Sequence, residues 1–228
     1  MPSTQPLHFN LVAAAHATMI EHGFQPEFPA ATGAELAAIQ AHPELPSAPG
    51  AQDLRNLLWS SIDNDTSRDL DQIEWAEQLP DGRIRVLVGV ADVDARIALG
   101  TALDGHAKSE TTSVYTGVKV FPMLPTELSE GITSLNENED RVALVIEFAV
   151  DQAGTASDGK AYRALVRNRA QLAYNSVGAW LEASGPAPAK VVNASGASPS
   201  STRLARAPVD ILHQRCTKAP PTRIGAAR

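Results

Sequence analysis

Alternating apolar and polar residues in the middle of the chain predict two β-hairpins. The first is IEWAEQLPDGRIRVLVGVAD, in which two extended runs flank a Pro-Asp-Gly turn. Its second run places four β-branched residues on one face: Ile84, Val86, Val88 and Val90. The second hairpin joins RVALVIEFAVD to KAYRALVRN through the turn segment QAGTASDG. We therefore expect a mixed or antiparallel sheet.

Other segments have the spacing of helices. LDGHAKSETTSVY predicts a helix between the two hairpins, and PMLPTELSEG predicts a short helical turn. AQLAYNSVGAWLE predicts a later helix with a broad apolar face made of Leu172, Val177, Trp180 and Leu181. Because strands and helices mix without a regular βαβ alternation, the pattern predicts an α+β fold with helices packed on the sheet.

Changes in composition divide the chain into three regions. Residues 1–50 are rich in Ala and Pro, hold a short helical patch at Ala34–Ala41 and end in the linker-like stretch HPELPSAPGAQ. Residues 51–182 carry the organised pattern. Residues 183–228 have scattered Arg and Pro and no sustained periodicity, which indicates an irregular basic tail. A shifted reading frame is a second explanation of that tail.

Charge and cysteine content exclude some classes of protein. The formal net charge is −7, yet residues 183–228 alone carry +6 and the rest of the chain carries −13. A chain this acidic needs a local basic groove, or metal ions, to bind a polyanion. The lone Cys216 excludes an intrachain disulfide and a cysteine-built zinc site. Since no signal sequence or membrane span is visible, we expect a cytoplasmic protein without a membrane partner.

One short segment concentrates negative charge. SSIDNDTSRDLDQIE holds five carboxylates, those of Asp63, Asp65, Asp69, Asp71 and Glu74. Like charges packed this closely repel one another, so such a run belongs in a solvated loop or around a bound cation. A solvated acidic turn with Arg68 paired locally is therefore one interpretation, and a metal site is the other.

A calcium loop of the EF-hand type is one form of metal site that the spacing allows. With Asp63 as position 1, Glu74 falls at position 12, as that loop requires. The fit fails at position 6, where the sharp turn calls for Gly and this chain has Arg68. The residues that follow also predict a strand and not the exiting helix.

A magnesium site is the other form. Magnesium takes few carboxylates and completes its octahedron with water and phosphate oxygens. Asp69 and Asp71 are two residues apart, so on an extended segment they point the same way, and Asp63 can fold back toward them. Such a cluster activates a water molecule as nucleophile and stabilises a leaving oxygen.

Several motifs in fixed order give the chain a resemblance to a known family. They are the S-I-D start, the D-L-D run, the strand VGVADV, an L-D in the next helix, S-V-Y, PMLPTELS and S-L-N-x-x-x-x-R. Together, from Asp53 to Glu182, these motifs resemble the ribonuclease II (RNB) family. The resemblance implies the first part of an RNB-like catalytic domain, a partial domain of α+β fold.

The family's activity and site follow as implications of the resemblance. It implies a Mg²⁺-dependent exoribonuclease, with Mn²⁺ as the alternative cation, that degrades single-stranded RNA from the 3′ end to nucleoside 5′-monophosphates. Asp63, Asp69 and Asp71 match three of the family's four active-site aspartates, while the fourth position is Gln72, a neutral oxygen ligand. Tyr115 matches the position of an aromatic residue that stacks on an RNA base.

The sequence departs from the family in length as well as at Gln72. An H-x-T-S-P-I-R-R-Y-x-D type segment and a phosphate-contacting arginine, both typical of the family's second half, are not found in these residues. We therefore expect a weak or inactive nuclease that depends on the missing C-terminal half or on a second subunit. A non-catalytic RNA-binding or regulatory module is the alternative, alongside the calcium binder. His106 has no partner at a ligand-like spacing, which predicts a surface position.

Overall fold

The computed structural model describes residues 9–190, which form two compact units interleaved along the sequence. One unit comprises residues 9–44 and 93–132, and the other comprises residues 45–92 and 133–190. The sequence-based boundaries at residues 50 and 182 stay a prediction. Most of the predicted basic tail, with the proposed frameshift, lies outside the described residues.

Helices and strands alternate irregularly along the described chain, which confirms the predicted α+β class. The helices are α1 (Leu11–Glu21), α2 (Thr32–Gln40), α3 (Ala102–Glu110) and α4 (Tyr174–Leu181). The strands are β1 (Gln52–Asp53), β2 (Trp59–Asp63), β3 (Gln72–Gln78), β4 (Ile84–Ala91), β5 (Val114–Tyr115), β6 (Val120–Phe121), β7 (Asp140–Val150) and β8 (Ala156–Ala173). Both predicted hairpins are present, as β3–β4 and β7–β8.

Strand pairing in the second unit closes into a ring. β2, β3, β4, β7 and β8 pair antiparallel in that succession, and β8 returns to β2 through a parallel pairing. The short β1 also pairs with β8 in parallel. A closed circuit of pairings leaves few open edges and encloses one interior for apolar side chains.

That interior is the main core of the unit. Trp59, Leu87 and Val145 are 0% exposed and pack in one cluster with neighbours from the other strands. Gly89 lies at the tightest point, because a Cβ built on it would come within 3.1 Å of the Ile73 side chain. The predicted β-branched face of β4 is the outer one, and Val90 on that face is 36% exposed.

A β-bulge on β8 changes which side of the sheet its residues face. The register shifts between the pairs Trp59↔Asn168 and Ser60↔Ala170. The buried Asn168 amide fills the gap: Nδ2 donates to Ser61 Oγ (2.9 Å) and to the Leu135 carbonyl (3.0 Å). Its Oδ1 accepts from the Ala170 N–H at 3.1 Å, so every polar atom of the side chain is satisfied.

The bulge also corrects the predicted helix of AQLAYNSVGAWLE. Its first four residues belong to β8, and the helix begins only at Tyr174. Beyond the bulge, Leu172 packs from the strand against Val177 and Trp180 of α4. The predicted apolar cluster therefore forms, but a strand and a helix supply it together.

The first unit is built mainly on its helices. The α2 patch, α3 and the turn within PMLPTELSEG are confirmed, the last as a π-helical segment at Glu127–Ile132. Glu35 of α2 accepts the first free N–H groups of α3, from Ala102 and Leu103, at 2.8 and 2.9 Å. The predicted surface position of His106 is wrong: its side chain is 4% exposed and packs on Phe28 with ring centroids 4.5 Å apart. None of the helices described has the length and apolar character to cross a membrane.

Replacing Asn168 by Ala tests the bulge. The change removes the partners of Ser61, Leu135 and Ala170 inside the protein, so we expect the free energy of unfolding to fall by about 2–4 kcal/mol. Urea unfolding followed by tryptophan fluorescence measures it. Gln152→Ala, in the exposed β7–β8 turn, serves as the control and should change stability by less than about 0.5 kcal/mol. Equal stability of the two variants would contradict the assigned role.

Candidate functional site

The acidic run occupies the end of β2, the loop after it and the start of β3. Asp63 is the last residue of β2, where it pairs in register with Ala173 at the end of β8. Asp69 and Asp71 lie in the connecting loop, and Gln72 opens β3. Strands flank the loop on both sides, which rules out the helix–loop–helix frame of an EF-hand calcium site.

Leu70 fastens this loop to the core. Its side chain is 1% exposed and belongs to the cluster inside the ring. Its N–H donates to Ser134 Oγ (3.0 Å), and its carbonyl accepts from the Leu135 N–H (2.9 Å). Since side chains alternate along an extended chain, burying Leu70 directs Asp69 and Asp71 away from the interior.

The Asp63 carboxylate is held within its own loop. Oδ1 accepts two hydrogen bonds of 2.7 Å, one from the Asn64 N–H and one from the Ser67 hydroxyl. The side chain is half-buried at the end of its strand. Its orientation is therefore set by local donors before any ligand is considered.

Electrostatics show that the carboxylates interact. Burial, followed by the charges of Asp69 and Asp63, raises the pKa of Asp71. The Asp71 residue is nevertheless exposed by its accessible area, so its carboxyl is crowded by protein on one side and open to water on the other. Burial and the charge of Asp63 raise the pKa of Glu74 to about 7. Asp63 is the charge common to both groups.

Glu74 carries the clearest sign of an unsatisfied site. Its Oε2 is buried and has no hydrogen-bond partner within residues 9–190. Glu74 lies two residues after Gln72 on β3, so the two side chains share one face of the strand. The sequence identifies Glu74 as one of five carboxylates in the acidic run and as position 12 of a calcium-loop pattern, and only the structure reveals that it is partly buried.

The donor atoms of these side chains suit a divalent cation, although the side chains do not surround a common point. Carboxylate and amide oxygens are the donors that Mg²⁺ and Mn²⁺ prefer, and burial together with neighbouring carboxylates raises the pKa values of Asp71 and Glu74. In the part of the chain that the structure describes, no three His, Cys, Asp or Glu side chains are grouped so as to hold a metal ion. The metal-binding role of Asp63, Asp69, Asp71 and Gln72 stays a prediction.

Tyr115 and the arginines of β8 are not part of the acidic run. Tyr115 is in β5 of the other compact unit and is 66% exposed, and its stacking role stays a prediction. Two arginines of β8 form ion pairs within the fold, Arg163 with Asp92 (2.7 Å) and Arg167 with Asp140 (2.5 Å). Both guanidinium groups therefore take part in ion pairs within the fold.

Comparison with known proteins decides the family. Residues 51–214 match the sequence profile of the RNB domain. The chain belongs to the RNB family. The profile match continues beyond Glu182, into the stretch where the composition changes, so the likeness to the family does not stop at that change.

Curated relatives of this RNB chain are ribonucleases. It is 36% identical over 169 residues to Exoribonuclease 2 of Salmonella heidelberg, covering 74% of this chain and 25% of that protein. It is 39% identical over 133 residues to Ribonuclease R of Vibrio parahaemolyticus, covering 58% of this chain and 16% of that protein. The chain thus spans a quarter or less of the length of these relatives.

Solved structures agree with the fold. RNase R of Mycoplasma genitalium in complex with ribose methylated single-stranded RNA matches with a TM-score of 0.67 and 26% identity. The match covers 86% of this chain and 31% of that protein. It confirms the RNB-type α+β fold that the sequence motifs implied.

The Glu74→Gln variant tests the strain in the acidic cluster. Because the folded protein raises this pKa from 4.5 to about 7, ionisation of Glu74 destabilises the fold. The penalty is absent below the unfolded pKa, grows as pH rises and is complete above the folded pKa. Glu74→Gln should therefore gain on the order of 2–3 kcal/mol relative to the unmodified chain between pH 4.5 and pH 8.

Urea unfolding at a series of pH values, in buffer with a metal chelator, measures that gain. Glu182→Gln, at an exposed position after α4, is the control and should leave the pH dependence unchanged. A Glu74→Gln variant whose stability follows the same pH curve as the unmodified chain would contradict the raised pKa.

Proposed function

We propose that this chain is the acidic-cluster part of a divalent-cation-dependent 3′→5′ exoribonuclease that hydrolyses single-stranded RNA to nucleoside 5′-monophosphates. The observation that carries the proposal is the anchored loop: in a chain of the RNB family it keeps Asp63, Asp69 and Asp71 near enough that burial and the charges of Asp69 and Asp63 together raise the pKa of Asp71. Placing like charges close together costs free energy, and a bound cation offsets that cost.

Mg²⁺, with Mn²⁺ as the alternative, is the proposed cofactor. Asp63, Asp69 and Asp71 would hold it, with the Gln72 amide oxygen as a neutral donor in place of a fourth carboxylate. When bound, such a cation lowers the pKa of a water molecule and stabilises the leaving oxygen of the phosphodiester. The chain's own contribution is to hold Asp69 and Asp71 on the outer side of a loop fastened by Leu70, which begins after Asp63 at the end of β2.

Single-stranded RNA is the proposed substrate. The structural relative RNase R of Mycoplasma genitalium is solved with single-stranded and with double-stranded RNA, which supports RNA as the substrate, and the family resemblance favours the single strand. Tyr115 is the proposed stacking residue, because its side chain is exposed and a base stacked on an aromatic ring gains about 1–3 kcal/mol whatever its sequence. The proposed location of this activity is the cytoplasm.

A second polypeptide segment is expected to complete the site. The chain covers about a quarter of the length of Exoribonuclease 2. The family resemblance implies an arginine that contacts the phosphate, and the carboxylates of the acidic cluster cannot supply its positive charge. Loss of one such electrostatic contact typically lowers a rate by about 10²–10³. We therefore expect slow turnover from this chain alone, increased by a partner that supplies the remaining part of the domain.

A non-catalytic RNA-binding module is the second candidate, and Gln72 is the observation that favours it. A neutral amide at the fourth position lowers the negative charge available to a cation. RNA binding that persists in EDTA, together with no turnover in Mg²⁺, would select this candidate over the exoribonuclease.

The Asp71→Asn variant tests the exoribonuclease directly. On 5′-labelled single-stranded RNA with Mg²⁺, we expect the unmodified chain to give a ladder that shortens from the 3′ end. Asp71→Asn should lower that rate by roughly 10²–10³, because it removes a charge from the cluster that would hold the cation.

Asp65→Asn provides a matched control, since Asp65 lies exposed in the turn of the same loop. Its rate should stay within a few-fold of the unmodified chain. Turnover that survives EDTA, or an equal loss in both variants, would contradict the proposed site.

A further inference from the structure

The two hydrogen bonds to Asp63 fall on the same carboxylate oxygen. Both the Asn64 N–H and the Ser67 hydroxyl donate to Oδ1 at 2.7 Å. Over the described part of the chain, Oδ2 receives no hydrogen bond from the protein. One oxygen of Asp63 is thus fixed by the loop, and the other stays available to a ligand.

Ser67 is itself held by the sheet. Its carbonyl accepts a hydrogen bond of 2.9 Å from Nε2 of Gln171, a residue of β8 that lies 104 positions further along the chain. Gln171 pairs in register with Ser61 of β2, and its N–H donates to Glu137 Oε2 at 3.0 Å. The connection therefore runs from the strand ring through Gln171 and Ser67 to Asp63.

We propose that Ser67 and Gln171 are positioning residues for the cation site, Ser67 by orienting the Asp63 carboxylate through Oδ1 and Gln171 by holding Ser67. This inference rests on the proposed function, because it assumes that Asp63 binds a divalent cation. Partners that orient a ligating carboxylate commonly change metal affinity by about 10–100-fold when they are removed.

A purely structural role predicts a different outcome. A Ser hydroxyl that bonds a carboxylate four residues earlier also stabilises a turn, so its loss lowers stability whether or not a metal binds. The positioning role, in contrast, predicts a loss of metal affinity in protein that is still folded. It also predicts rescue by Thr, which keeps the hydroxyl.

Mn²⁺ affinity measured by electron paramagnetic resonance on the full chain separates the two roles. Ser67→Ala should weaken Mn²⁺ binding by about 10–100-fold, while Ser67→Thr should stay within a few-fold of the unmodified chain. Gln171→Met, which keeps the side-chain length but has no donor, should weaken binding in the same direction. Circular dichroism and urea unfolding without metal confirm that each variant is folded.

Ser184→Ala is the matched control. Its hydroxyl donates to the Ala179 carbonyl of α4 at 3.2 Å and lies at an exposed position after that helix, so Mn²⁺ affinity should not change. Unchanged Mn²⁺ affinity in Ser67→Ala, or equal weakening in Ser67→Ala and Ser67→Thr, would overturn the proposal. So would an unmodified chain that binds no Mn²⁺, and if Ser67→Ala does not fold, the Gln171→Met result decides alone.

RNA turnover measured on the same samples separates this inference from the proposed function. If Mn²⁺ affinity falls as expected but the unmodified chain and its variants leave RNA intact, the positioning role holds and the exoribonuclease proposal fails. If the unmodified chain degrades RNA and Ser67→Ala matches it in both affinity and rate, the exoribonuclease proposal holds and the positioning role fails.

Discussion

The burial of Leu70 inside the strand ring is the constraint on which the acidic site depends. Full burial of a leucine side chain stabilises a fold by about 1.5–3 kcal/mol. Two hydrogen bonds also hold the Leu70 backbone in place, one to the Ser134 hydroxyl and one from the Leu135 N–H. With Leu70 inside, Asp69 and Asp71 have no position other than the outer side of the loop. The core therefore dictates where the charges lie, although none of those charges belongs to the core.

That placement is electrostatically unfavourable, because it partly buries carboxylates near other negative charges. Burial and neighbouring charges raise the pKa values of Asp71 and Glu74, and Glu74 leaves one oxygen without a partner in the described chain. Elsewhere in the same unit, buried carboxylates are neutralised: Glu147 accepts from Arg85, Tyr162 and Lys160, which hold its pKa at about 2 despite burial. The unpartnered oxygen of Glu74, in contrast to the paired Glu147, supports the proposal of a cation site at the acidic run.

Much of this arrangement is readable in the sequence, where the signals are local. The Pro-Asp-Gly turn and period-two alternation identify the β3–β4 hairpin, and the D-L-D spacing identifies the paired carboxylates. The β8 bulge at Asn168 is not readable, because it depends on partners in β2 and near Leu135. For the same reason the sequence pattern predicts a helix at Leu172. Its apolar neighbours fit the spacing of a helix as well as that of a strand, and only the bulge decides between the two. Ser67 and Gln171 also escaped notice, since no local pattern connects residues 104 positions apart.

Diffraction from crystals soaked in Mn²⁺, recorded at the manganese absorption edge, tests the central claim most directly. The claim is that Asp63, Asp69 and Asp71 are held together to bind a divalent cation. It predicts an anomalous difference peak between these three carboxylates, with Oδ2 of Asp63 facing it. A well-ordered loop with no peak there, or a peak bound only by other residues, would contradict it.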